Sequence, residues 1–181
     1  MKLYIVGPVG SGKTTLARKL SKETGIPCFH LDQVAHRKDP TAKIGNRKRP
    51  EAERDAIFQS ILSRTDYILE DSGRLCFARG LESADKILLL EPYTFLRLGR
   101  ILRRWIRQNL GLERCGYRPT WAMLGNMMRW TWAYDTGKDG VRVRAERYPH
   151  KLTVVRSKRD LGRFTRDMVT DTKGERYGIS V

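Results

Sequence analysis

The sequence predicts a three-layer α/β/α protein in which helices cover both faces of a five-stranded parallel sheet. Short apolar runs alternate with amphipathic helical stretches along the chain, and this alternation is typical of a buried parallel sheet. The length of 181 residues suits a single domain with a sizeable core. A glycine-rich motif joins the first apolar run to the first helical stretch, as expected for such a sheet with a phosphate site.

The first strand, residues 3–6, is followed directly by Gly-x-x-x-x-Gly-Lys-Thr over residues 7–14. In such a P-loop the glycines let the backbone curl, so that successive amides point at phosphate oxygens. The N-terminus of the following helix adds about half a positive charge. Lys13 can reach the outer phosphates of a nucleotide, and Thr14 can place a hydroxyl on Mg²⁺. A glycine-rich turn that only caps a strand is the weaker interpretation, because glycines, lysine and threonine coincide with the strand–helix context.

The first half of the chain continues with alternating elements. A helix over residues 13–24 ends at a glycine and a proline, Gly25 and Pro27. A short second strand ends at His30-Leu31-Asp32, and the polar, basic residues 35–49 predict a long loop. Pro50 opens the next helix.

The second half supplies three more strands and the remaining helices. The predicted strands are residues 67–69, 86–90 and 151–155, and the predicted helices are residues 93–108, 121–134 and 158–168. Residues 1–168 form the predicted domain, with a small lid at about 104–148. The tail, residues 169–181, has little to bury, which is compatible with disorder.

Four acidic residues follow the predicted strands: Asp32, Glu70, Asp71 and Glu91. In an open parallel sheet, ligands bind beyond the carboxyl ends of the strands, so these side chains are candidates to organise Mg²⁺ or to accept a proton. Alone, each also fits a turn or helix cap. Asp32 and the Glu70–Asp71 pair are favoured over Glu91, because Pro92 predicts that Glu91 begins a turn leading away from the site.

Seven arginines but one acid, Glu113, lie between residues 97 and 118. On the helix 93–108, helical spacing puts the apolar residues Leu98, Ile101, Leu102 and Trp105 on the core face and Arg97, Arg100, Arg104 and Arg107 on another. These arginines form either a solvated helix face or, for the later ones, a flap that closes over a triphosphate and stabilises the transferred group. The later group comprises Arg104, Arg107, Arg114 and Arg118.

The tryptophans and methionines of residues 121–134 recur near helical spacing, which favours core packing over a ligand site. The net charge of +16 favours either a nucleic-acid surface or a polyphosphate pocket. Three distant cysteines, Cys28, Cys76 and Cys115, predict a reducing, cytoplasmic environment. No apolar stretch is long enough to span a membrane, so no membrane partner is expected.

The P-loop, the His30-Leu31-Asp32 turn and the arginine helix together resemble the nucleoside and nucleotide kinase branch of the P-loop proteins. The chain is most similar to adenylate-kinase-related topology modulation proteins of the FlaR type. Residues 5–15, 25–27, 30–32, 84–90 and 154–158, together with Arg103 and Arg104, carry this resemblance. It implies the P-loop kinase fold, ATP as donor, and Mg²⁺.

The resemblance also implies roles for individual residues. Lys13, Asp32, Arg114 and Arg118 would be catalytic, with the two later arginines in the lid, and Asp32 and Arg74 would bind the acceptor. The residues themselves, rather than the resemblance, predict the metal site: Thr14 in the P-loop and the strand-end acids Glu70 and Asp71 would hold Mg²⁺, the acids in part through water. The following residues would bind ATP: Gly7, Pro8, Val9, Gly10, Ser11, Gly12, Lys13, Thr14, Thr15 and Arg156.

The expected function is transfer of the ATP γ-phosphoryl group to a small-molecule acceptor such as a nucleotide or nucleoside. An ATP-binding regulator that interacts with nucleic acid, without kinase activity, is the alternative. The turn Glu70-Asp71-Ser72-Gly73 departs from the Asp-Gly pattern of related kinases, and no pair of helices for a nucleoside monophosphate is evident. A nucleotide-binding protein that has lost catalysis is therefore the third possibility.

Overall fold

A computed structural model describes residues 1–42, 45–113 and 117–177, and it confirms the five-stranded parallel sheet. The strands are β1 (Lys2–Val6), β2 (Cys28–His30), β3 (His36–Lys38), β4 (Asn46–Lys48), β5 (Tyr67–Asp71), β6 (Lys86–Leu90) and β7 (Leu152–Val155). The helices are α1 (Lys13–Thr24), α2 (Leu31–Ala35), α3 (Glu51–Leu62), α4 (Arg79–Ser83), α5 (Thr94–Asn109), α6 (Trp121–Asp135), α7 (Val141–Glu146) and α8 (Lys158–Tyr177).

The main sheet has the order β2-β5-β1-β6-β7, with every neighbouring pair parallel. Because β1 lies at the centre, the loop that follows it emerges between the ends of β5 and β6. Val6 is in register with Asp71 on one side and Leu89 on the other. The topology therefore brings the P-loop and the strand-end acids of β5 to the same edge of the sheet.

Alternate residues of the strands face two separate cores, which explains why the strands are apolar throughout. In β1, Tyr4 and Val6 pack into one cluster with Phe58 of α3, whereas Leu3 and Ile5 pack into the other with residues of α1 and α8. All four β1 residues from Leu3 onward are almost fully buried. The sheet is thus a rigid base for the loops at its carboxyl edge.

The prediction of a loop over residues 35–49 is wrong, because this segment contains an antiparallel hairpin. Arg37 of β3 pairs with Arg47 of β4, and His36 pairs with Lys48. The turn is closed by the amide of Asp39, which donates to the Gly45 carbonyl at 3.1 Å. The strands carry charged residues rather than an apolar alternation, so the usual strand signal is absent from the sequence.

Helix α5 differs from its predicted packing. Arg97, predicted on the arginine face, is 1% exposed, and Leu102, predicted in the core, is 45% exposed. The guanidinium of Arg97 forms an ion pair with Asp135 of α6 and donates from Nε to the Pro92 carbonyl at 3.1 Å. The side of α5 that packs against the protein therefore includes Arg97 instead of Leu102. Burial of this arginine is possible because the carboxylate of Asp135 on α6 neutralises its charge.

The helix predicted over residues 121–134 is present as α6, but the prediction that its tryptophans pack in the core is wrong. Trp121, Trp130 and Trp132 are at least half exposed, whereas Met127 and Tyr134 are buried. The last helix, α8, continues to Tyr177, beyond the predicted end at residue 168. Within the described ranges, no helix is both long and apolar enough to cross a bilayer.

Candidate functional site

The loop after β1 has the tight backbone that a phosphate cradle requires. Gly7 and Gly10 adopt φ angles of +151° and +76°, which L-amino acids with a side chain rarely adopt. A Cβ atom on Gly7 would lie 2.3 Å from the Leu90 carbonyl oxygen, and one on Gly10 would lie 2.8 Å from that of Arg97. The backbone therefore lies directly against the end of β6 and the first turn of α5, and glycine is required at both positions.

Lys13, the first residue of α1, is 7% exposed and lies inside the site. Its Nζ donates to the Pro8 carbonyl at 2.9 Å and lies 3.5 Å from Ser11 Oγ. Burial lowers the pKa of Lys13, while the carboxylates of Glu70, Asp32 and Asp71 act to raise it. The ammonium group of Lys13 thus lies within the electric field of the predicted strand-end acids.

Arg100 also contacts the P-loop, a role that sequence spacing did not distinguish from a solvated helix face. Its Nη1 donates to the carbonyl oxygens of Ser11 at 2.9 Å and Gly10 at 3.3 Å. Helix α5 therefore places a permanent positive charge beside the cradle, where it can act on a bound phosphate. No pattern in the sequence separates Arg100 from the neighbouring arginines, because the distinction depends on how α5 is rotated.

Asp71, the last residue of β5, is 1% exposed and accepts four hydrogen bonds. The donors are Tyr4 OH at 3.1 Å, the amides of Gly73 and Arg74, both at 2.7 Å, and Arg74 Nη1 at 3.0 Å. Burial raises the pKa of Asp71, and these donors with the charge of Arg74 oppose that rise. Both carboxylate oxygens are occupied, so the residue holds the turn after β5 in place.

The other amino group of Arg74, Nη2, forms an ion pair with Asp32 in α2. Burial acts to lower the pKa of Arg74, but Asp32 and Asp71 outweigh it and raise the pKa above its ordinary value. The structure thus brings Asp32 and Arg74, both predicted to face the acceptor, into direct contact. Asp32 keeps a side-chain exposure of 64%, which leaves it open toward solvent.

Glu70 is buried and faces β2, where its Oε2 lies 3.0 Å from His30 Nδ1. The strand register places His30 directly beside Glu70, so the contact follows from the β2–β5 pairing. On its other side, His30 Nε2 accepts from Arg18 Nε at 3.4 Å. The sequence offered no partner for His30, because that partner lies 40 residues away.

Glu91, which follows β6, has a separate set of hydrogen-bond donors. Its carboxylate accepts from Tyr134 OH at 2.5 Å, Arg142 Nε at 2.9 Å and Arg156 Nε at 2.9 Å. Burial acts to raise the pKa of Glu91, but these donors outweigh it and lower the pKa. Arg156, predicted to bind ATP, is thus anchored at the end of β7, with its side chain 60% exposed.

The lid residues are only partly described. Arg114 lies outside the described residues, as does Cys115. Arg118 is exposed, and its Nη2 donates to the Pro40 carbonyl in the turn of the β3–β4 hairpin at 3.2 Å. The segment before α6 therefore touches the hairpin, and the structure does not bring Arg118 to the P-loop.

The residues predicted to hold Mg²⁺ fit it to different degrees. Thr14 is half-buried in the first turn of α1, and Glu70 lies at the carboxyl edge beside the P-loop. Asp71 is committed to four donors, so Glu70 is the better candidate for the shell around a cation. Within the part of the chain that is described, no group of three or more histidine, cysteine, aspartate or glutamate side chains could hold a metal by itself. A nucleotide-bound Mg²⁺ needs only one or two protein groups.

Comparison with known proteins agrees with this geometry. The sequence model of the AAA family, the ATPases associated with various cellular activities, matches residues 3–75. Among solved structures, shikimate kinase from Acinetobacter baumannii in complex with shikimate superposes with a TM-score of 0.54 at 18% identity, covering 97% of this chain and 92% of that one. A gluconokinase from Sinorhizobium meliloti 1021 gives a TM-score of 0.50 at 14% identity, covering 95% and 91%. No curated protein sequence matches the chain. The P-loop kinase fold predicted from the sequence is thereby confirmed.

Proposed function

We propose that this protein is a small-molecule kinase, which transfers the γ-phosphoryl group of Mg²⁺-bound ATP to an acceptor such as a nucleotide or nucleoside. The observation that carries this proposal is the buried Lys13 on a tight glycine loop, within the field of Asp32, Glu70 and Asp71. A cationic cradle for the donor thus adjoins carboxylates that can orient an acceptor. The kinase fold of the structural neighbours supports the same reaction class.

In the proposed reaction each residue has a separate role. The P-loop amides and Lys13 hold the phosphates, and Thr14 with Glu70 would support the metal. Bound Mg²⁺ would neutralise the negative charge that develops on the transferred group. The exposed carboxylate of Asp32 would orient the acceptor hydroxyl, and Arg74 would hold Asp32 in place and bind an anionic group of the acceptor.

The lid and adenine-side roles follow from the resemblance alone. We propose that Arg118, together with Arg114, reaches the phosphates when the lid closes, and that Arg156 lies beside the adenine. The predicted relation to topology modulation proteins of the FlaR type remains part of this proposal. The cytoplasmic location expected from the number and spacing of the cysteines also remains part of this proposal.

The decisive experiment combines isotope transfer with one variant and a matched control. The purified protein is incubated with γ-³²P-labelled ATP, Mg²⁺ and a fractionated metabolite pool, and labelled products are separated and identified. Lys13→Ala should abolish label transfer while the thermal unfolding transition stays cooperative. Lys19→Ala removes an exposed lysine from the same helix, and this control should transfer label at the rate of the unmodified protein. Transfer that survives in Lys13→Ala, or ATP binding with no labelled product from any fraction, would refute the kinase.

A second candidate function is nucleic-acid binding, and the β3–β4 hairpin is the observation that favours it. Arg37 lies directly opposite Arg47, and His36 lies opposite Lys48. Like charges in opposite positions of an antiparallel pair are destabilising. Asp39 relieves part of this repulsion by pairing with Arg47 at 3.1 Å. A hairpin that keeps such pairs is suited to an anionic ligand, and the net charge of +16 points the same way.

A filter-binding titration with duplex DNA at two salt concentrations tests this candidate. Binding through the hairpin should weaken steeply with salt and should fall in Arg37→Gln/Lys48→Gln. Arg159→Gln/Arg166→Gln removes the same charge from the exposed side of α8 and serves as the control. Equal loss in both double variants would show that only the overall charge matters, and would exclude a specific hairpin site.

A further inference from the structure

Helices α5 and α6 expose large apolar side chains that the proposed kinase reaction does not use. We call these residues the α5–α6 surface: Phe95, Leu102, Ile106, Leu110, Trp121 and Trp132. Their exposed fractions range from 43% for Ile106 to 74% for Trp121. Exposed apolar side chains are ordinary when scattered, but a contiguous patch marks an interaction site.

Helical spacing makes the α5 part of this surface a continuous stripe. Phe95, Leu102 and Ile106 are separated by seven and four residues, so they lie on one side of the helix, and Leu110 continues the row. On α6, Trp121 and Trp132 are eleven residues apart and share one side. The two helices meet at Trp105 and Trp121, whose ring centroids are 4.3 Å apart.

The charge around this surface is mainly positive. Residues 94–135, from the start of α5 to the end of α6, contain eight arginines and two acids, Glu113 and Asp135. Glu113 pairs with Arg104 at 3.2 Å and with Arg107 at 3.6 Å, and Asp135 pairs with the buried Arg97, so neither acid offsets the remaining arginines. Arg103, which flanks the apolar stripe, forms no ion pair within residues 1–42, 45–113 and 117–177. The surface therefore combines apolar side chains with unbalanced positive charge.

We infer that the α5–α6 surface docks onto the surface of an anionic lipid bilayer. A helix that lies in the membrane interface has an apolar face of Leu, Ile, Phe and Trp residues next to a cationic polar face. Tryptophan favours the depth of the headgroups, and each arginine near an anionic membrane strengthens binding about fivefold. No apolar stretch of the sequence is long enough to span a membrane, but a helix that lies flat on the surface needs no span.

Two other partners fit the surface less well. A second copy of the chain would bring the same cationic face against its own charge, which opposes association. A nucleic acid would neutralise the arginines but would leave the apolar stripe in water, because phosphate contacts are polar. An anionic bilayer satisfies both features at once.

Docking through this surface leaves the candidate kinase site open. Arg100, which contacts the P-loop, lies two residues before Leu102, so the two side chains project from nearly opposite sides of α5. The lipid-facing stripe and the phosphate-facing arginine therefore do not compete. Membrane docking does not depend on the kinase reaction and can be tested without ATP.

Co-sedimentation with vesicles tests the proposal on the full chain. Vesicles that contain phosphatidylglycerol should bind the protein, vesicles of phosphatidylcholine alone should bind it at least about tenfold more weakly, and salt should reduce the binding. Leu102→Ser/Ile106→Ser should weaken binding to the anionic vesicles by about tenfold or more. Leu75→Ser/Val143→Ser removes two more exposed apolar side chains, 73% and 56% exposed, from other elements and should bind like the unmodified protein.

Three further measurements distinguish an anionic bilayer from a second copy of the chain and from a nucleic acid. Sedimentation velocity without lipid and DNA titration are measured on the same variants, and circular dichroism confirms that each is folded. The inference is overturned if the unmodified protein does not bind anionic vesicles, or if the α5 double variant binds them unchanged. It is also overturned if that variant only dissociates a dimer, or weakens only DNA binding. Tryptophan fluorescence that shifts to the blue on anionic vesicles, with a smaller shift in the α5 double variant, supports it.

Discussion

Arg74 connects two elements of the candidate site through one side chain. It pairs with the fully buried carboxylate of Asp71 and with the exposed carboxylate of Asp32. A buried carboxylate costs free energy unless donors surround it, and Arg74 supplies two of the four hydrogen bonds to Asp71. The residue therefore holds α2 against the turn after β5, whatever it does for an acceptor.

Replacing Arg74 by methionine should destabilise the protein by about 2 to 4 kcal/mol, because it leaves the carboxylate of Asp71 buried without its cation. The loss should shrink as the pH falls, since burial raises the pKa of Asp71 and the protonated carboxyl needs no cation. Urea unfolding at two pH values measures both effects. Arg79→Met, an exposed arginine on α4, is the control and should stay within about 0.5 kcal/mol of the unmodified protein. Equal losses for the two variants would contradict the pairing.

The thiol of Cys28 in β2 should lose its proton at a higher pH in the folded protein than in the unfolded chain. Burial, and next the charge of Glu70, raise the pKa of the Cys28 thiol to about 11 from an ordinary value of 9.0. At pH 8 the folded protein should therefore contain roughly a hundredfold less Cys28 thiolate than the unfolded chain. The same shift means that Cys28 contributes stability below about pH 9, and that this contribution is lost as the pH rises toward 11.

Alkylation of a Cys76→Ser/Cys115→Ser variant measures the remaining thiol. Iodoacetamide should react with Cys28 at least about tenfold more slowly in the folded protein than in guanidinium, since thiolate content and access both fall. The reciprocal variant, which keeps only the exposed Cys76, should show a smaller ratio. A Cys28 that reacts equally fast in both states would show that the side chain is not buried as described.

The P-loop and helix α5 differ in whether their backbone requires glycine. Gly10 supports a left-handed turn against the backbone of Arg97, whereas Gly99 lies in the interior of α5, where an added Cβ atom would meet nothing within 4 Å. Glycine in the middle of a helix costs free energy relative to alanine, because it gives up more backbone freedom on folding. The P-loop therefore needs its glycine, and α5 does not.

Gly99→Ala should raise the free energy of unfolding by about 0.5 to 1 kcal/mol, as expected for an exposed helix interior. Gly10→Ala should lower it and weaken ATP binding, because both the φ angle and the carbonyl of Arg97 oppose a side chain. Chemical denaturation and calorimetry with ATP provide the two readouts. A destabilising Gly99→Ala would indicate that this part of α5 is covered in solution.

The whole molecule carries a net charge of +16. Self-repulsion at this level opposes the compact state, and salt screens it. The ion pairs of Asp71, Glu91 and Arg97 each have one buried member, so salt screens them less than it screens charges that are exposed on both sides. The balance favours a protein that gains stability with moderate ionic strength.

The melting temperature should therefore rise between about 0.01 M and 0.2 M KCl, as the Debye length falls from about 30 Å to below 10 Å. Potassium acetate at the same ionic strength should give the same rise, because screening does not depend on the anion. Phosphate and sulfate are avoided, since both could bind the P-loop. A melting temperature that falls with KCl would mean that exposed ion pairs dominate the stability.

The chain determined its fold class through local signals. The P-loop, the apolar runs of the five strands and the caps of α1 predict the parallel sheet and its phosphate edge, because each depends on residues that are close in sequence. The β3–β4 hairpin escaped prediction because its strands pair through the backbone and carry charged side chains. The exposure of Trp121 and Leu102 was not predicted for a related reason. Helical spacing shows which residues share a face of a helix, but not whether that face packs against the core or lies in solvent.

Only the tertiary structure decided which side chains meet. Strand order places Asp71 beside β1 and His30 beside Glu70. The orientation of α5 about its axis decides that Arg97 is buried, that Arg100 contacts the P-loop and that Leu102 faces solvent. These contacts join residues separated by up to 90 positions, so no local pattern encodes them. Short-range chemistry was enough to determine a parallel-sheet protein with a P-loop, and long-range packing selected the residues that lie beside that loop and those that face outward.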